Sequence, residues 1–485
     1  MSAGHKKAIV IGAGVGGLSC AILLRRLGFS VTVLEKNRQA GGMMRSYVRE
    51  GFACPVGVHY LGALEHGQVL QQVFSALGLD GRIPLARMGG NGLVDRYIFD
   101  DFSFDVGSGI EDYLARLLAA FPEQRRQIQV LTEQLAAADH RMNLDTLLFS
   151  SSGATSSLDS VESMGELLGR HDFDPGLRRV LMAPSAWMGV ALDDCPVPLF
   201  MMTLSSYLSS AWKLAGSGSE LAAAFIDRLT ELGGEINLGD SVKSIQVEKR
   251  RLCGVTLASG RSLTADLVIA AVHPKTVLAM LPEDAVKAPY RKRISRLEES
   301  PGCLSVQVAL PAADFPARDY NIFRFHEQQG YPELVFCTLS KTRRPDWNLL
   351  TTVSPSSFED WSSWQNTTTG KRGQDYRDQK ERQARQILAG LESIFGNLKQ
   401  AKILDVFTPL SLRDWVSSAR GSTYGVLRSK HQLLRAALLH RTPVPGLFLA
   451  GQSVIAPGIL GTTIGSFMTV AYIVGKERLQ GLLTG

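Results

Sequence analysis

Three glycines near the start of the chain follow the spacing G-x-G-x-x-G at positions 12, 14 and 17. An apolar, partly β-branched run at 7–11 precedes them, and residues 18–27 follow with a helical pattern. Gly12 permits a tight turn, Gly14 lets the backbone approach a pyrophosphate, and Gly17 lets the helix pack closely against the strand. Because a helix N-terminus presents unpaired N–H groups to phosphate, the segment predicts a dinucleotide site in a βαβ unit.

An acidic residue, Glu35, directly follows the second expected strand at 29–34. A carboxylate at this position can accept hydrogen bonds from both hydroxyls of an adenosine ribose. It also repels a 2′-phosphate, which disfavours NADP and leaves FAD or NAD. The paired Gly41-Gly42 lets the chain pass close over a cofactor, and Arg45 offers donors to a phosphate, which together favour FAD.

Patterns for other kinds of chemistry are absent from the sequence. The nine histidines show no HExxH spacing and form no cluster with cysteines, so we expect no metal site. The sequence also lacks a G-x-S-x-G nucleophile elbow, which argues against a hydrolase. The six cysteines lie far apart without a CxxC pair, which is typical of reduced thiols in a cytoplasmic protein.

The composition is that of a folded globular protein. Of the 485 residues, 45% are hydrophobic and 20% are charged, which excludes a disordered or collagen-like chain. A net charge of +6 is too small over this length to predict nucleic-acid binding. The uncharged stretch 442–474 is interrupted by prolines and glycines, so we interpret it as buried strand, loop and helix rather than as a transmembrane helix.

Segments along nearly the whole chain resemble the phytoene desaturase, carotenoid isomerase and retinol saturase branch of the FAD-dependent oxidoreductases. The N-terminal glycines, Glu35 and Gly41-Gly42 match the FAD-binding pattern of that family. The next segment, GVHYLG at 57–62, is similar to the retinol saturase version of the pattern. Further similar segments are GSG at 216–218, DSVKSI at 240–245, TPL at 408–410, GSTYG at 421–425 and GLFLAGQ at 446–452.

Two positions depart from the family pattern. Cys54-Pro55-Val56 stands where many members have Phe-Asp before the glycine that here is Gly57, which bears on substrate choice rather than on FAD binding. Gln452 stands where many carotenoid enzymes have Asp after the glycine that here is Gly451. The glutamine amide can still donate and accept near the ribityl chain, and the retinol saturases are similar in having glutamine there.

The glycine motif and the resemblance together predict a non-covalent FAD site. In the family, a strand that returns to the cofactor would place Val242 beside the adenine, and the C-terminal segment closes over the FAD. The residues expected to contact FAD are Gly12, Gly14, Gly16, Gly17, Glu35, Lys36, Gly42, Met43, Arg45, His59, Val242, Gly451, Gln452, Gly461 and Thr462.

The resemblance implies an α/β fold in which a Rossmann-type, glutathione-reductase-like FAD-binding domain is interleaved with an α+β substrate domain. The Ser- and Gly-rich stretch 150–160 in the substrate domain is interpreted as a loop or lid. The expected FAD-binding domain comprises 1–70, 205–290 and 430–485, and the expected substrate-binding domain comprises 71–204 and 291–429.

The resemblance also implies a reaction at the C–C or C=C bonds of a small, lipophilic polyene, by desaturation, saturation or cis–trans isomerisation. Such a reaction needs a group that takes or gives a proton. His59 and Tyr60 are the first candidates, because the family places their segment near the isoalloxazine ring. A hydrogen-bonding role for His59 is an equal alternative. Tyr424 is a further candidate, with core packing as its alternative, and no residue pattern identifies an electron donor or acceptor.

Three other functions stay open: a flavin amine oxidase, a NAD-dependent dehydrogenase, and a non-catalytic lipid-binding protein that retains the fold. Peripheral membrane contact is a further expectation, since Arg291-Lys292-Arg293 and Arg296 could dock on an anionic surface. A solvated basic face is the plainer interpretation of these residues. Trp361 and Trp364 are interpreted either as the wall of an apolar channel or membrane-facing rim, or as core residues.

Overall fold

The computed structural model describes residues 6–149, 161–327, 333–398 and 401–484, so the predicted loop or lid at 150–160 lies outside the described residues. The strands are β1 (Lys7–Ile11), β2 (Ser30–Glu35), β3 (Ser46–Arg49), β4 (Phe52–Pro55), β5 (Leu61–Gly62), β6 (Leu85–Arg87), β7 (Asp95–Ile98), β8 (Ser103–Val106), β9 (Ala211–Leu214), β10 (Glu235–Leu238), β11 (Val242–Glu248), β12 (Arg251–Leu257), β13 (Ser262–Thr264), β14 (Leu267–Ala270), β15 (Gly302–Pro311), β16 (Asn321–Phe325), β17 (Leu334–Lys341), β18 (Trp347–Ser356), β19 (Lys402–Phe407) and β20 (Leu447–Leu449). The α-helices are α1 (Val15–Arg26), α2 (Val69–Leu77), α3 (Ile110–Ala120), α4 (Arg125–Arg141), α5 (Leu144–Phe149), α6 (Met164–Arg170), α7 (Pro175–Ala186), α8 (Val197–Ser209), α9 (Gly218–Glu231), α10 (Pro274–Met280), α11 (Ala288–Ser295), α12 (Gly373–Gly390), α13 (Glu392–Phe395), α14 (Pro409–Val416), α15 (Gly458–Val474) and α16 (Lys476–Thr484).

Five strands form a parallel sheet in the order β10–β2–β1–β14–β20. The central strands β1 and β14 are buried almost throughout, as the apolar run at 7–11 predicts. Helix α1 packs against α9 and α15 and buries Leu18, Ile22 and Leu23 completely. The predicted first strand is confirmed, and β2 ends one residue later than predicted, so that Glu35 is its last residue.

A second, larger sheet has the order β19–β15–β18–β17–β16–β7–β8 and is antiparallel except for the pair β16–β7. Alternate side chains point to its two faces. One face carries Phe323, Phe325 and Phe336 and packs against a layer that includes α3, α4, α7 and α8. The opposite face packs against α12 and Trp361, which is fully buried and donates from Nε1 to Ser356 Oγ at 2.9 Å. The core interpretation of Trp361 is therefore confirmed.

The uncharged stretch 442–474 contains β20, a loop and helix α15, as predicted. Buried residues of α15, among them Phe467 and Val470, belong to the core around α1. Among the described residues, no helix combines the length and the apolar character that crossing a bilayer requires. The predicted mixed α/β architecture is confirmed, while the bounds of the two interleaved domains stay a prediction.

Candidate active site

A cavity of about 970 Å³ opens at the carboxyl ends of the parallel strands β1, β2, β14 and β20. It extends to β16, β17 and β18, so that residues of both sheets line it. In α/β folds, ligands bind in the crevice at the carboxyl ends of such strands. Of the residues predicted to contact FAD or to take part in chemistry, those that line the cavity are Gly12, Gly14, Gly16, Glu35, Lys36, Gly42, Met43, His59, Tyr60, Val242, Tyr424, Gly451, Gln452 and Thr462.

The absence of a Cβ has a different steric consequence at each of the three motif glycines, Gly12, Gly14 and Gly17. Gly12 has a φ of +97°, and a Cβ there would lie 3.0 Å from the Ala271 carbonyl oxygen. A Cβ on Gly17 would lie 1.9 Å from the Gly12 carbonyl oxygen, so Gly17 allows close packing of helix on strand and does not line the cavity. A Cβ on Gly14 would meet only the Cα of Gly42, at 4.0 Å. Gly14 therefore keeps cavity space free for a ligand rather than for protein.

Glu35 is buried at the end of β2, where three donors hold its carboxylate. Oε2 accepts a hydrogen bond from the Ala13 N–H at 3.0 Å, and Oε1 accepts from the N–H and the Nδ2 of Asn37 at 2.9 and 2.8 Å. These bonds fix the carboxylate at the cavity wall. Because each carboxylate oxygen has more than one acceptor site, Glu35 can also accept the hydroxyls of a ribose.

Two basic residues predicted to contact the cofactor have protein partners. Lys36 lines the cavity, and its Nζ donates to the Asp414 carbonyl at 2.7 Å. Arg45 is buried outside the cavity lining, and its guanidinium donates to the Trp415 carbonyl at 3.3 Å. The guanidinium of Arg45 thus donates to backbone carbonyls in this structure. Its contact with a phosphate stays a prediction.

The C-terminal segment packs directly on the glycine turn. A Cβ on Gly16 would lie 2.7 Å from the Cα of Gly451, which brings the GLFLAGQ segment against the start of α1. Gly461 does not line the cavity, and a Cβ there would lie 2.7 Å from that of Ala456. Gly461 is therefore a packing residue at the start of α15. Gln452, by contrast, lines the cavity with its neighbour Gly451.

His59 lies at the cavity wall with its ring centroid 5.1 Å from that of Phe336. No hydrogen-bond partner for its Nδ1 is found among the described residues. Burial, and to a smaller extent the nearby Lys213, lower the pKa of His59 to about 4. The imidazole is therefore neutral at pH 7, which makes His59 a weak proton donor at that pH.

Tyr60 has a buried partner, Asp95, that no sequence pattern marks. Its hydroxyl donates to Asp95 Oδ2 at 3.1 Å, and Asn321 Nδ2 donates to Asp95 Oδ1 at 2.8 Å. Burial raises the pKa of Asp95 to about 6, although both hydrogen bonds and Lys213 act in the opposite direction. Burial in turn lowers the pKa of Lys213 to about 8. Tyr60 and Asp95 thus form a buried pair that can hold or pass a proton close to neutral pH.

Tyr424, in the segment between α14 and β20, lines the cavity. Its ring packs on Gly189, where a Cβ would lie 2.7 Å from a ring carbon. Its backbone N–H donates to Ser300 Oγ at 2.9 Å. Burial raises the pKa of the Tyr424 hydroxyl above its ordinary range, so the hydroxyl stays protonated. These contacts agree with the packing alternative, and a catalytic role for Tyr424 stays a prediction.

Aromatic rings form the wall around Tyr60. Ring centroids of Tyr60 and Tyr207 lie 4.6 Å apart, as do those of Trp187 and Tyr207. Phe323 and Phe336 continue the wall, with centroids 5.1 Å apart. Such a wall binds flat, apolar molecules with little cost in side-chain entropy. Tyr207, Phe323 and Phe336 lie on α8, β16 and β17, and Trp187 directly follows α7. No local motif in the sequence marks these residues.

Charged residues surround a more exposed part of the cavity. Arg178 and Asp193 form an ion pair of 3.2 Å, and both line the cavity together with Leu192. Arg179, also a lining residue, pairs with Asp101 and lies over the ring of Phe99. Because Asp193 is exposed to solvent, this charged rim marks an opening of the cavity.

His273 caps the N-terminus of α10, where its Nδ1 accepts a hydrogen bond from the Lys275 N–H at 3.3 Å, and burial lowers its pKa to about 3. In the unfolded chain His273 therefore binds a proton below about pH 6.5, whereas in the folded chain it stays neutral down to about pH 3. We expect the free energy of unfolding contributed by His273 to fall by roughly 1.5 kcal/mol between about pH 6.5 and about pH 5. Urea unfolding of wild type and His273→Asn, which keeps a capping side chain, measures the difference. Equal pH slopes for the two proteins would contradict the assignment.

Comparison with known proteins gives a consistent result. The family model described as flavin containing amine oxidoreductase matches residues 15–471. All-trans-retinol 13,14-reductase of Rattus norvegicus is 25% identical over 531 residues, covering 98% of this chain and 86% of the relative. The 4,4'-diapolycopene oxygenase of Methylomonas sp is 26% identical, covering 93% of this chain and 94% of the relative.

Solved structures share the fold. Putrescine oxidase bound to putrescine has a TM-score of 0.66 at 17% identity, covering 97% of this chain and 99% of the other. A fatty acid isomerase from P. acnes that produces CLA has a TM-score of 0.60 at 15% identity, covering 98% and 100%. The predicted family resemblance and fold class are confirmed by these matches. Because the family model spans nearly the whole sequence, the chain belongs to the flavin-containing amine oxidoreductases and is a flavin enzyme, as the glycine motif and the family resemblance together predicted.

Proposed function

We propose that this chain is an FAD-dependent oxidoreductase that acts on the C–C or C=C bonds of a lipophilic polyene, by desaturation, saturation or cis–trans isomerisation. The observation that carries the proposal is a single cavity with two kinds of lining. Gly12, Gly14, Gly16 and Glu35, which we call the dinucleotide cradle, line it together with the aromatic wall around Tyr60. Two relatives that are similar over more than nine-tenths of this chain, a retinol reductase and a diapolycopene oxygenase, are named for substrates of the same class.

The residues present fit FAD. Gly14 leaves the cradle open to a pyrophosphate, Gly42 lies close against Gly14 in the cavity lining, and Glu35 offers acceptors to the adenosine ribose. The helix α1 directs its unpaired N–H groups to the same place. Gln452 and Thr462 line the part of the cavity that lies against α1 and would hold the remainder of the cofactor. A bound flavin supplies hydride transfer at its N5 atom.

The aromatic wall supports a neutral, apolar substrate over an amine. The carboxylates that line the described cavity are Glu35, Asp193 and Glu333. Glu35 belongs to the cradle, and the other two are exposed at the surface. A protonated amine at the aromatic wall would therefore meet no lining carboxylate from the described residues. A conjugated hydrocarbon gains contact area on Trp187 and Phe336 without losing a charged hydration shell.

Proton transfer is assigned to Tyr60, with Asp95 as its positioning residue. The Tyr60 ring lines the cavity while its hydroxyl bonds to Asp95, so a proton taken or given at the hydroxyl has a second acceptor or donor behind it. His59 has no such partner among the described residues and is neutral at pH 7. We therefore assign His59 to contact with the cofactor rather than to proton transfer.

The proposal is tested with the purified protein under anaerobic conditions. We expect a yellow protein that releases FAD on denaturation and whose flavin absorbance changes when polyene alcohols or carotenes are added to the oxidised or the reduced form. The comparison panel consists of putrescine and benzylamine. Flavin reduction by the amines with no response to any polyene would replace the proposal by an amine oxidase. A protein that releases no FAD would overturn the cofactor assignment.

A further inference from the structure

Three large apolar side chains are exposed in one region of the surface. Leu434 is 54% exposed, Leu438 is 53% exposed and Tyr472 is 48% exposed. Tyr472 packs on His440, and the ring of Tyr472 also lies 4.2 Å from the Arg441 guanidinium carbon. The exposed leucines belong to turns whose other side is anchored. Ala436 and Leu439 are buried in a cluster that includes residues of α11.

Basic residues surround these apolar side chains. Arg435 donates to the Arg296 carbonyl at 3.1 Å, and Arg293 donates to the Ala437 carbonyl at 3.1 Å, so the C-terminal end of α11 lies beside the turns. Lys292, Arg296 and Arg441 are exposed. The acidic neighbour among the described contacts is Glu298, 3.4 Å from Arg435. We call Leu434, Leu438, Tyr472, Lys292, Arg296, Arg435 and Arg441 together the basic–apolar surface.

The residues that directly precede the exposed leucines in the sequence contact residues beside the charged rim of the cavity. Lys430 forms an ion pair with Glu166 of α6, and His431 Nε2 lies 3.2 Å from Asp194. Asp194 follows Leu192 and Asp193, which line the cavity opening. The Lys430–Glu166 ion pair and the His431–Asp194 contact thus hold the segment that carries the exposed leucines beside α6 and the turn at the rim.

We propose that the basic–apolar surface docks on a membrane containing anionic phospholipid and holds the charged rim near the lipid. Exposed leucines beside lysine and arginine match an interface that offers acyl chains below negatively charged headgroups. Lipophilic substrates of the proposed reaction partition into that same phase. The reason for docking rests on the proposed function, but vesicle binding is measured without turnover. Failure of vesicle binding is therefore distinguishable from failure of the proposed reaction.

The test is flotation of the flavin-loaded protein with vesicles of phosphatidylcholine alone and of phosphatidylcholine with phosphatidylglycerol. We expect binding to the anionic vesicles that weakens with salt. Leu434→Ser with Leu438→Ser is expected to lower the partition coefficient by about tenfold or more. Arg296→Gln with Arg441→Gln is expected to reduce binding to anionic vesicles and to reduce its salt dependence.

Val48 and Leu238 provide a matched control, because they are 66% and 45% exposed at other places on the surface. Val48→Ser with Leu238→Ser is expected to bind vesicles as wild type does. Wild-type protein that stays unbound with both vesicle types would overturn the proposal, as would equal losses in the control. Light scattering of the protein without vesicles tests whether a second copy of this chain occupies the surface instead. A dimer that only the Leu434→Ser/Leu438→Ser variant loses, with vesicle binding unchanged, would assign the surface to self-association instead.

Discussion

Gly14→Ala is expected to give a folded protein that purifies with little flavin. The φ of Gly14 is −79° and its ψ is 178°, a conformation that alanine adopts without strain. The new methyl group would meet only the Gly42 Cα, at 4.0 Å, so the protein itself has room for it. The methyl group instead fills the space over the N-terminus of α1 where a pyrophosphate would lie. An intruding methyl group costs about 1–3 kcal/mol, which corresponds to roughly tenfold to hundredfold weaker binding.

The control for this variant is Gly169→Ala in α6. A Cβ on Gly169 meets no atom within 4 Å, and Gly169 lies outside the cavity lining. Both variants should unfold at a similar temperature without added FAD, while FAD should raise the unfolding temperature of Gly169→Ala far more than that of Gly14→Ala. Flavin content is read from absorbance after gel filtration. Full flavin occupancy in Gly14→Ala would remove the cradle from the FAD site.

The cradle could be predicted from sequence because its determinants are local. Strand β1, the turn at Gly12 and helix α1 follow one another within about twenty residues, and each has its own sequence pattern. The one-residue shift of β2 matters little, since Glu35 lies at the carboxyl end of the strand in the prediction and in the structure. Gly17 and Gly461 show the limit of motif reasoning. Gly17 permits the close packing of helix on strand that its place in the motif predicts, and Gly461 packs on Ala456. Neither lines the cavity, and their contact with FAD stays a prediction.

The acid behind Tyr60 could not be predicted because it depends on contacts between distant segments. Asp95 begins β7, pairs across the parallel β7–β16 contact with Asn321, and reaches Tyr60 from a different part of the chain. An aspartate at a strand start is usually a solvated turn residue. Only its burial at 1% exposure identifies it as unusual. The choice between core and channel for Trp361 likewise depended on burial, which its sequence neighbours do not determine.

Tyr60→Phe is expected to lower kcat by about a hundredfold or more, with flavin content and KM close to wild type. The substitution keeps the ring that lines the cavity and removes the hydroxyl that bonds to Asp95. Loss of a positioned proton-transfer group costs about 10²–10⁴-fold in rate. Tyr97→Phe is the control, because Tyr97 is fully buried and its hydroxyl has no hydrogen-bond partner among the described residues. That variant should turn over at the wild-type rate.

Asp95→Asn separates a proton-transfer role from a purely structural one, because it keeps the side-chain volume and removes the titration. The pKa of Asp95 is raised to about 6, so kcat of the wild type should change near that pH. Activity should rise with pH where Tyr60 accepts a proton, as in desaturation, and fall with pH where Tyr60 donates one, as in saturation. The Asp95→Asn profile should lack this inflection. Because the Asp95 carboxylate raises the pKa of Lys213, the Lys213 titration, near pH 8 in the wild type, should move to lower pH in the variant. An inflection retained in Asp95→Asn, or Tyr60→Phe activity within about twofold of wild type, would move proton transfer to His59 or to solvent.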